Sequence, residues 1–429
     1  MESILDIKEK YAVDESIESL ETYAYQPISG TKYNNPGQIQ IRIENTSALF
    51  LPSASWLQIE GKLVKAEGGT AFATGRKITL TNNGPLYLFD NIKYELNGQE
   101  IESIYHPGHA TTMLGLTKYS SNFNAGAGLN QCWCIDTGAT AAENDNEGFK
   151  RRVDYILEKP TPKGSFRLAL PLSLPFGFCD DYNKVVCGFA HTLTLVRSAS
   201  SKNALFRDAT AADGTIVIEK ISWMMPIVKP RIEEDYQLVK LIASKDTLSV
   251  GFRMHQCTSI ALPQAQRYTW QLGVRSVSEK PRYIMVALQT NKLNDEAKNT
   301  ATFDHCSLTN IYVLLNNERY PAIDFNANFA MHKYENLYKS FCDFIKFFYG
   351  IDPLVAGTAV DPSLYKELYP IFICDVSKQS ERLRVGVVDI TIEMFFGDNV
   401  PAGTSAFAVM ISDRKLKFQS DGQKMNVIY

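Results

Sequence analysis

This chain has no excess of charge of either sign. Its 44 Lys and Arg stand against 47 Asp and Glu, a net charge of −3 with histidine neutral. No polybasic run occurs, so the footprint of a protein that grips nucleic-acid phosphates is missing. The first 23 residues hold seven acids (Glu2, Asp6, Glu9, Asp14, Glu15, Glu18, Glu21) against two lysines, which repels a polyanion. The last 16 residues are mildly basic, with Arg414, Lys415, Lys417 and Lys424 against Asp421, and read as a solvated tail. No stretch reaches the ~20 apolar residues of a membrane-spanning helix. The N-terminus is acidic and lacks an apolar leader, so secretion is not expected. Without secretion the sequon Asn45-Thr-Ser47 takes no glycan.

Chemistry-bearing motifs are equally scarce. The eight cysteines (Cys132, Cys134, Cys179, Cys187, Cys257, Cys306, Cys342, Cys374) are scattered, mostly inside apolar runs. They read as reduced, buried thiols rather than a disulfide framework. Cys132-Trp-Cys134 is the one close pair, and it lacks zinc-ligand spacing. Of six histidines only His106 and His109 cluster, around a Pro-Gly that marks a helix start. His-x-His, the strand motif of a bicupin metal site, does not occur. His255 lies two residues before Cys257 on an alternating strand and reads as a surface histidine. There is no nucleophile elbow, P-loop or dinucleotide fingerprint; Gly126-Ala-Gly128 alone signifies nothing. The adjacent carboxylates Glu233-Glu234 and Asp180-Asp181 point apart if extended, and read as solvated loop charges. No catalytic, cofactor-binding or metal-ligating residue is therefore assigned.

What is present is length, aromatics and alternation. A chain of 429 residues exceeds one ordinary core and predicts two domains of about 200 residues each. Its 21 Tyr and 23 Phe favour β structure and large buried interfaces. Ile39, Ile41 and Ile43 alternate with polar residues. So do Phe166, Leu168, Leu170 and Leu172; Leu248, Val250, Phe252 and Met254; Val388, Ile390, Ile392 and Met394; and Phe407, Val409 and Ile411. Period two predicts antiparallel strands with one buried face, as in a sandwich. The clearest helix spans Tyr334–Phe348. Tyr334, Leu337, Tyr338, Phe341, Ile345 and Phe348 share one face, and Gly350 caps the C-terminus.

The chain also repeats itself. Asn91–Ile104 returns as Asn310–Ile323, with Asn, Ile, Leu, Asn and Ile matching at an offset of 219 residues (310 − 91). Each copy reads as strand, Asn-Gly or Asn-Asn turn, strand, then helix; in the first half the helix covers His109–Tyr119. A linker is predicted at Met225–Asp235, where two prolines precede a charge run. Two long loops, Ser120–Arg152 and Arg197–Gly214, are predicted to be binding or interlocking surfaces. A large β protein without a catalytic constellation points to a product that is surface: a binding module or a building block.

Several stretches resemble the double jelly-roll major capsid proteins of Polinton/Maverick elements and adintoviruses. Tyr23–Ile28 followed by Gly37–Ile41 resembles the opening arm and first strand of that family. Leu86–Gly98 is similar to its strand ending in a Leu-Asn-Gly hairpin. Gly148–Arg152, Leu172–Phe178 and Thr192–Arg197 fall where family members carry similar runs. In the second half, Asn310–Asn317, Tyr334–Phe341, Tyr369–Val376 and Val385–Ile390 follow the family's order of elements. The resemblance covers about residues 20–415. It departs at Ile351–Gly357, where a Gly-Asn loop is commoner.

The resemblance implies an all-β fold of two tandem jelly-roll β-sandwiches with a few short helices. It implies an arm over 1–28, jelly rolls over 29–228 and 229–415, and a tail over 416–429. It further implies a homotrimeric, pseudo-hexagonal capsomer of an icosahedral double-stranded DNA virus or virus-like element. On that footing the protein is not an enzyme and takes no cofactor. Its partners are itself, neighbouring capsomers, and penton or minor capsid proteins, without tight nucleic-acid binding or a membrane span. It is made in the host cytoplasm and resides in the virion. Two other classes stay open. One is a carbohydrate- or ligand-binding double sandwich, with Trp133 as its one candidate contact. The other is a divergent bicupin enzyme.

Overall fold

The computed structural model describes the chain from Ser16 to Ile428, apart from residues 29, 31–32, 74, 76, 143–144, 276–278, 353–356, 381–385 and 421–424. Most of the loop departure at Ile351–Gly357, and much of the N-terminal acidic segment, therefore fall outside the described residues.

Sixteen strands carry the architecture. The first eight are β1 (Ile17–Tyr25), β2 (Gly37–Ile43), β3 (Trp56–Lys65), β4 (Phe89–Leu96), β5 (Gln99–Tyr105), β6 (Ser165–Pro171), β7 (His191–Arg197) and β8 (Gly214–Pro230). The second eight are β9 (Thr247–Ala261), β10 (Arg267–Arg275), β11 (Glu279–Thr290), β12 (Leu308–Leu315), β13 (Glu318–Tyr320), β14 (Ile371–Asp375), β15 (Val388–Phe396) and β16 (Thr404–Ser420). The first half forms two antiparallel sheets of order β1-β8-β3-β6 and β2-β7-β4-β5. The second half forms β9-β16-β11-β14 and β10-β15-β12-β13. Adding eight to each strand of the first half reproduces the second. Each half is a jelly roll, two four-stranded sheets packed face to face. A short strand, β17 (Met425–Ile428), extends the second half beside β16.

The sequence repeat falls on the hairpins β4-β5 and β12-β13, and its cause is visible. Asn97 and Gly98 both have positive φ, as do Asn316 and Asn317, the conformation a two-residue type I′ turn needs. Asn97 Oδ1 accepts from the Ala190 amide at 2.7 Å, just before β7. Asn316 Oδ1 accepts from the Asp389 amide, also at 2.7 Å, on β15. In both halves one asparagine makes the turn and pins it to the neighbouring strand.

Alternation holds where a sheet has one wet face, as in β2 and β3. It fails in β16, where every residue from Ala406 to Ile411 is buried, because both faces of that sheet are covered. Helix α1 (Pro107–Lys118) follows β5 and is buried from Pro107 to Thr117. Helix α2 (Ile232–Ala243) joins the halves. Helix α3 (Glu335–Tyr349) buries Leu337, Phe341, Phe344, Ile345 and Phe348, and Gly350 caps it at φ 68°. Tyr334 and Tyr338 of the expected face are only half-buried, while their hydroxyls bond to carbonyls of Pro362 and Val360.

Element ends differ from the boundaries expected at 28, 228 and 415. Within the expected arm, Ile17–Tyr25 is β1, paired along its length with β8. Most of its residues are exposed, so no buried-face periodicity announced it. The expected linker Met225–Asp235 is instead the end of β8 followed by the start of α2. In the expected tail, β16 continues to Ser420 and β17 pairs with it.

The strand directions give the molecule two poles. β1 and β9 begin, and β8 and β16 end, at one pole, together with α2 and β17. The long connections 106–164, 198–213, 291–307 and 321–370 leave from the other.

Candidate functional site

No cluster of three or more metal-ligating side chains occurs among the described residues. The polar chemistry concentrates elsewhere, on the seam between the two sandwiches.

At mid-seam Glu102, on β5, is buried. Its carboxylate accepts the amides of Gly177 (3.1 Å), Phe178 (3.0 Å) and His255 (2.6 Å). It thus clips β9 of the second sandwich to a short helix, Gly177–Asp181, of the first. Burial pushes its carboxyl up to about 8, although the three amides and the Arg414 charge pull the other way. The next residues of that short helix reach further. Asp181 takes Arg253 Nε at 2.9 Å and the Arg253 amide at 2.7 Å. Arg253 also donates to the Phe348 carbonyl at 2.9 Å and lies 4.0 Å over that ring. Burial raises the Asp181 carboxyl, but the Arg253 bonds outweigh it and hold the group below its ordinary value. Asp180 pairs with Lys118 of α1.

Toward the loop pole, Asp136 and Arg152 form an ion pair at 2.7 Å with both side chains fully buried. Asn146 donates to the same Asp136 oxygen at 2.9 Å. Asn299 of the second sandwich donates to the other oxygen at 2.8 Å, and Tyr369 to the Asp136 carbonyl at 2.9 Å. Tyr87 likewise donates to the Thr300 carbonyl. His109 stacks on Phe407, centroids 3.9 Å apart, and contacts Gln289. Burial pushes His109 down to about 3, so it is neutral. At the opposite pole, Asn97 donates to the Met425 carbonyl at 2.7 Å. Bonds at both poles and mid-seam weld the halves into one body. A buried polar group is costly unless partnered, so the partnered set also fixes one relative placement.

Several sequence expectations change here. Asp180 and Asp181 are half-buried and paired, not solvated loop charges: Asp181 anchors Arg253 across the seam, and Asp180 holds Lys118 within the first sandwich. His255 is buried, because the first sandwich covers its strand, and burial pushes it down to about 4. Trp133 is 1% exposed and offers no ligand contact. Its ring fills the space above Gly115, where a β-carbon would approach within 2.3 Å. Much of Ser120–Arg152 turns inward: Cys132, Cys134, Ile135 and Phe149 are buried with Trp133. The Arg197–Gly214 loop contains a short strand, Leu205–Arg207, paired with Ile78–Leu80. Glu233 and Glu234 lie on α2 rather than on an extended segment. His106 does precede a helix, as its N-cap, and contacts Ser259 at 2.9 Å. The eight cysteines are free and at least half-buried. In the sequence Glu102 and Asp136 are marked only by a lone acid in an apolar run, as in Ile101-Glu-Ser-Ile104.

Two jelly rolls of one topology, fused in tandem and locked at a polar seam, define the class of the protein. The chain belongs to the double jelly roll-like domain family, whose model matches residues 78–416. The fold is similar to the Faustovirus major capsid protein (TM-score 0.57, 9% identity, 97% of this chain and 93% of that one). It is also similar to the mavirus major capsid protein (0.55, 12%, 100% and 93%). A third similar chain is from the Sputnik virophage structure (0.55, 11%, 100% and 92%). Comparison with curated protein sequences finds no match.

Proposed function

We propose that this chain is the major capsid protein of an icosahedral double-stranded DNA virus or virus-like element, of the Polinton/Maverick and adintovirus kind. It acts as a homotrimer. Two equivalent lobes per chain and three chains give six near-equivalent lobes, so a threefold object fills a sixfold lattice position. The carrying observation is the strand-for-strand duplication with both lobes facing the same way and welded by a buried seam. A loosely tethered pair of domains would not hold a fixed hexagonal outline. The work is structural, and the place is the virion shell, after synthesis in the host cytoplasm.

The units implied are a first jelly roll over 17–230 and a second over 247–428, joined by α2. Penton and minor capsid proteins are the expected further partners, without tight binding of the genome. The ligand-binding alternative keeps no exposed aromatic in the first long loop, since Trp133 is buried.

Size-exclusion chromatography with light scattering, then electron microscopy of the same peak, tests the reading. A mass near three times 48.1 kDa with hexagonal particles supports it. A monomer that never assembles across salt and pH overturns it.

A further inference from the structure

Among the described elements, helix α2 carries an apolar stripe that the monomer leaves largely uncovered. None of its residues is buried. Leu238 and Ile242 are half-buried, and Ile242 touches the core. Ile232, Tyr236 and Val239 are 88%, 69% and 55% exposed. With Ala243 they are spaced 4, 3 and 4 residues apart, the narrow apolar stripe of a helix that pairs with another helix.

The charges on α2 say which helix. Its first turn carries Glu233, Glu234 and Asp235, and its last turn carries Lys240, with Lys245 just beyond. This pattern complements itself head to tail. In an antiparallel pair centred between Tyr236 and Val239, the acidic end of each helix faces the basic end of the other. Glu233 and Lys240 flank the stripe on the same side, so each meets its opposite across the pair. The helix dipoles also oppose favourably. A parallel pair would set acid against acid. A lipid surface is a poor occupant, because three acids against one lysine within the helix lack the cationic face that anionic membranes attract.

We propose that α2 pairs antiparallel with α2 of a second copy of this chain, across a local twofold between capsomers at the pole opposite the long loops. The inference rests on the capsid reading and names one of its contacts. A stripe of about 18 Å, from twelve residues at 1.5 Å each, buries little area and makes a weak contact. Such a contact counts only when repeated over a shell.

The test compares the full-length protein with Glu233→Lys, Lys240→Glu and the double variant E233K/K240E, by sedimentation velocity at low salt and by electron microscopy. These side chains are exposed, so unfolding temperature should not move, and each variant should still form trimers. Each single variant should weaken association of trimers by about tenfold or more, since each turns two attractions into two repulsions. The double variant, and a mixture of the two single variants, should regain it. Tyr236→Asp should abolish it. Intact trimers whose association ignores the single substitutions, or is not rescued by the exchange, would overturn the α2 pairing. Absence of trimers in the unaltered protein would instead remove the capsid reading itself.

Discussion

Gly177 and Arg253 approach so closely that a β-carbon built on Gly177 would sit 1.6 Å from the Arg253 carbonyl oxygen. The two residues belong to different sandwiches. The absence of one side chain sets how near the halves can come, and Glu102 and Asp181 make their bonds at that distance. Gly177→Ala should therefore push the halves apart, with a loss of about 3 kcal/mol from overpacking. Chemical denaturation measures it, and an unchanged midpoint would show that the seam has slack.

Asp136→Ala strands the fully buried Arg152 guanidinium without its counter-ion. Breaking one side of such a pair costs about 3–5 kcal/mol. Replacing both, as Asp136→Leu with Arg152→Met, should cost clearly less, because no charge is then left buried. If the double change is as damaging as the single, the ion pair is not the source of the loss.

Glu102 makes the seam sensitive to pH. Its carboxyl titrates at about 8 in the fold, against an ordinary value of 4.5. The folded state therefore holds a proton that the unfolded chain has released. Stability from this group is complete below about pH 4.5, and declines as pH rises to about 8, beyond which it is flat. Unfolding followed between pH 5 and 9 should show this decline, and Glu102→Gln should flatten it. A Glu102→Gln protein with the same slope would assign the decline to other groups.

Phe341 on α3 is fully buried and faces Tyr338 and Tyr365. Phe341→Ala should cost about 3–5 kcal/mol. Phe347, on the outer side of the same helix and 67% exposed, should tolerate alanine with little change in melting. Equal losses at both sites would mean that the helix packs by another face.

The parts of the fold legible in the sequence were those where a local rule acts alone. Asn97 and Asn316 showed the duplication because a type I′ turn needs such residues. Leu337, Phe341, Ile345 and Phe348 showed α3 because one face of it meets a core. The strand β1 was not legible, since an edge strand with few buried residues has no pattern to display. The seam was least legible. Glu102 meets His255 across 153 residues, and nothing near either one records the other. Asp181 and His255 look like surface residues until a second sandwich covers them. The exposed Trp133 that a ligand site required was lost the same way, to packing against Gly115.

The two-pole arrangement has a practical side. Strand β1 opens and β16 closes at the same end as the connecting helix α2. A polypeptide spliced in at the start of β1 or at the end of β16 would emerge there, on the side proposed for contacts between copies, and would obstruct them. Peptides inserted into exposed stretches of the opposite loops, such as 208–213, would project away from those contacts. Cargo display and lattice formation are thus separable by the choice of pole.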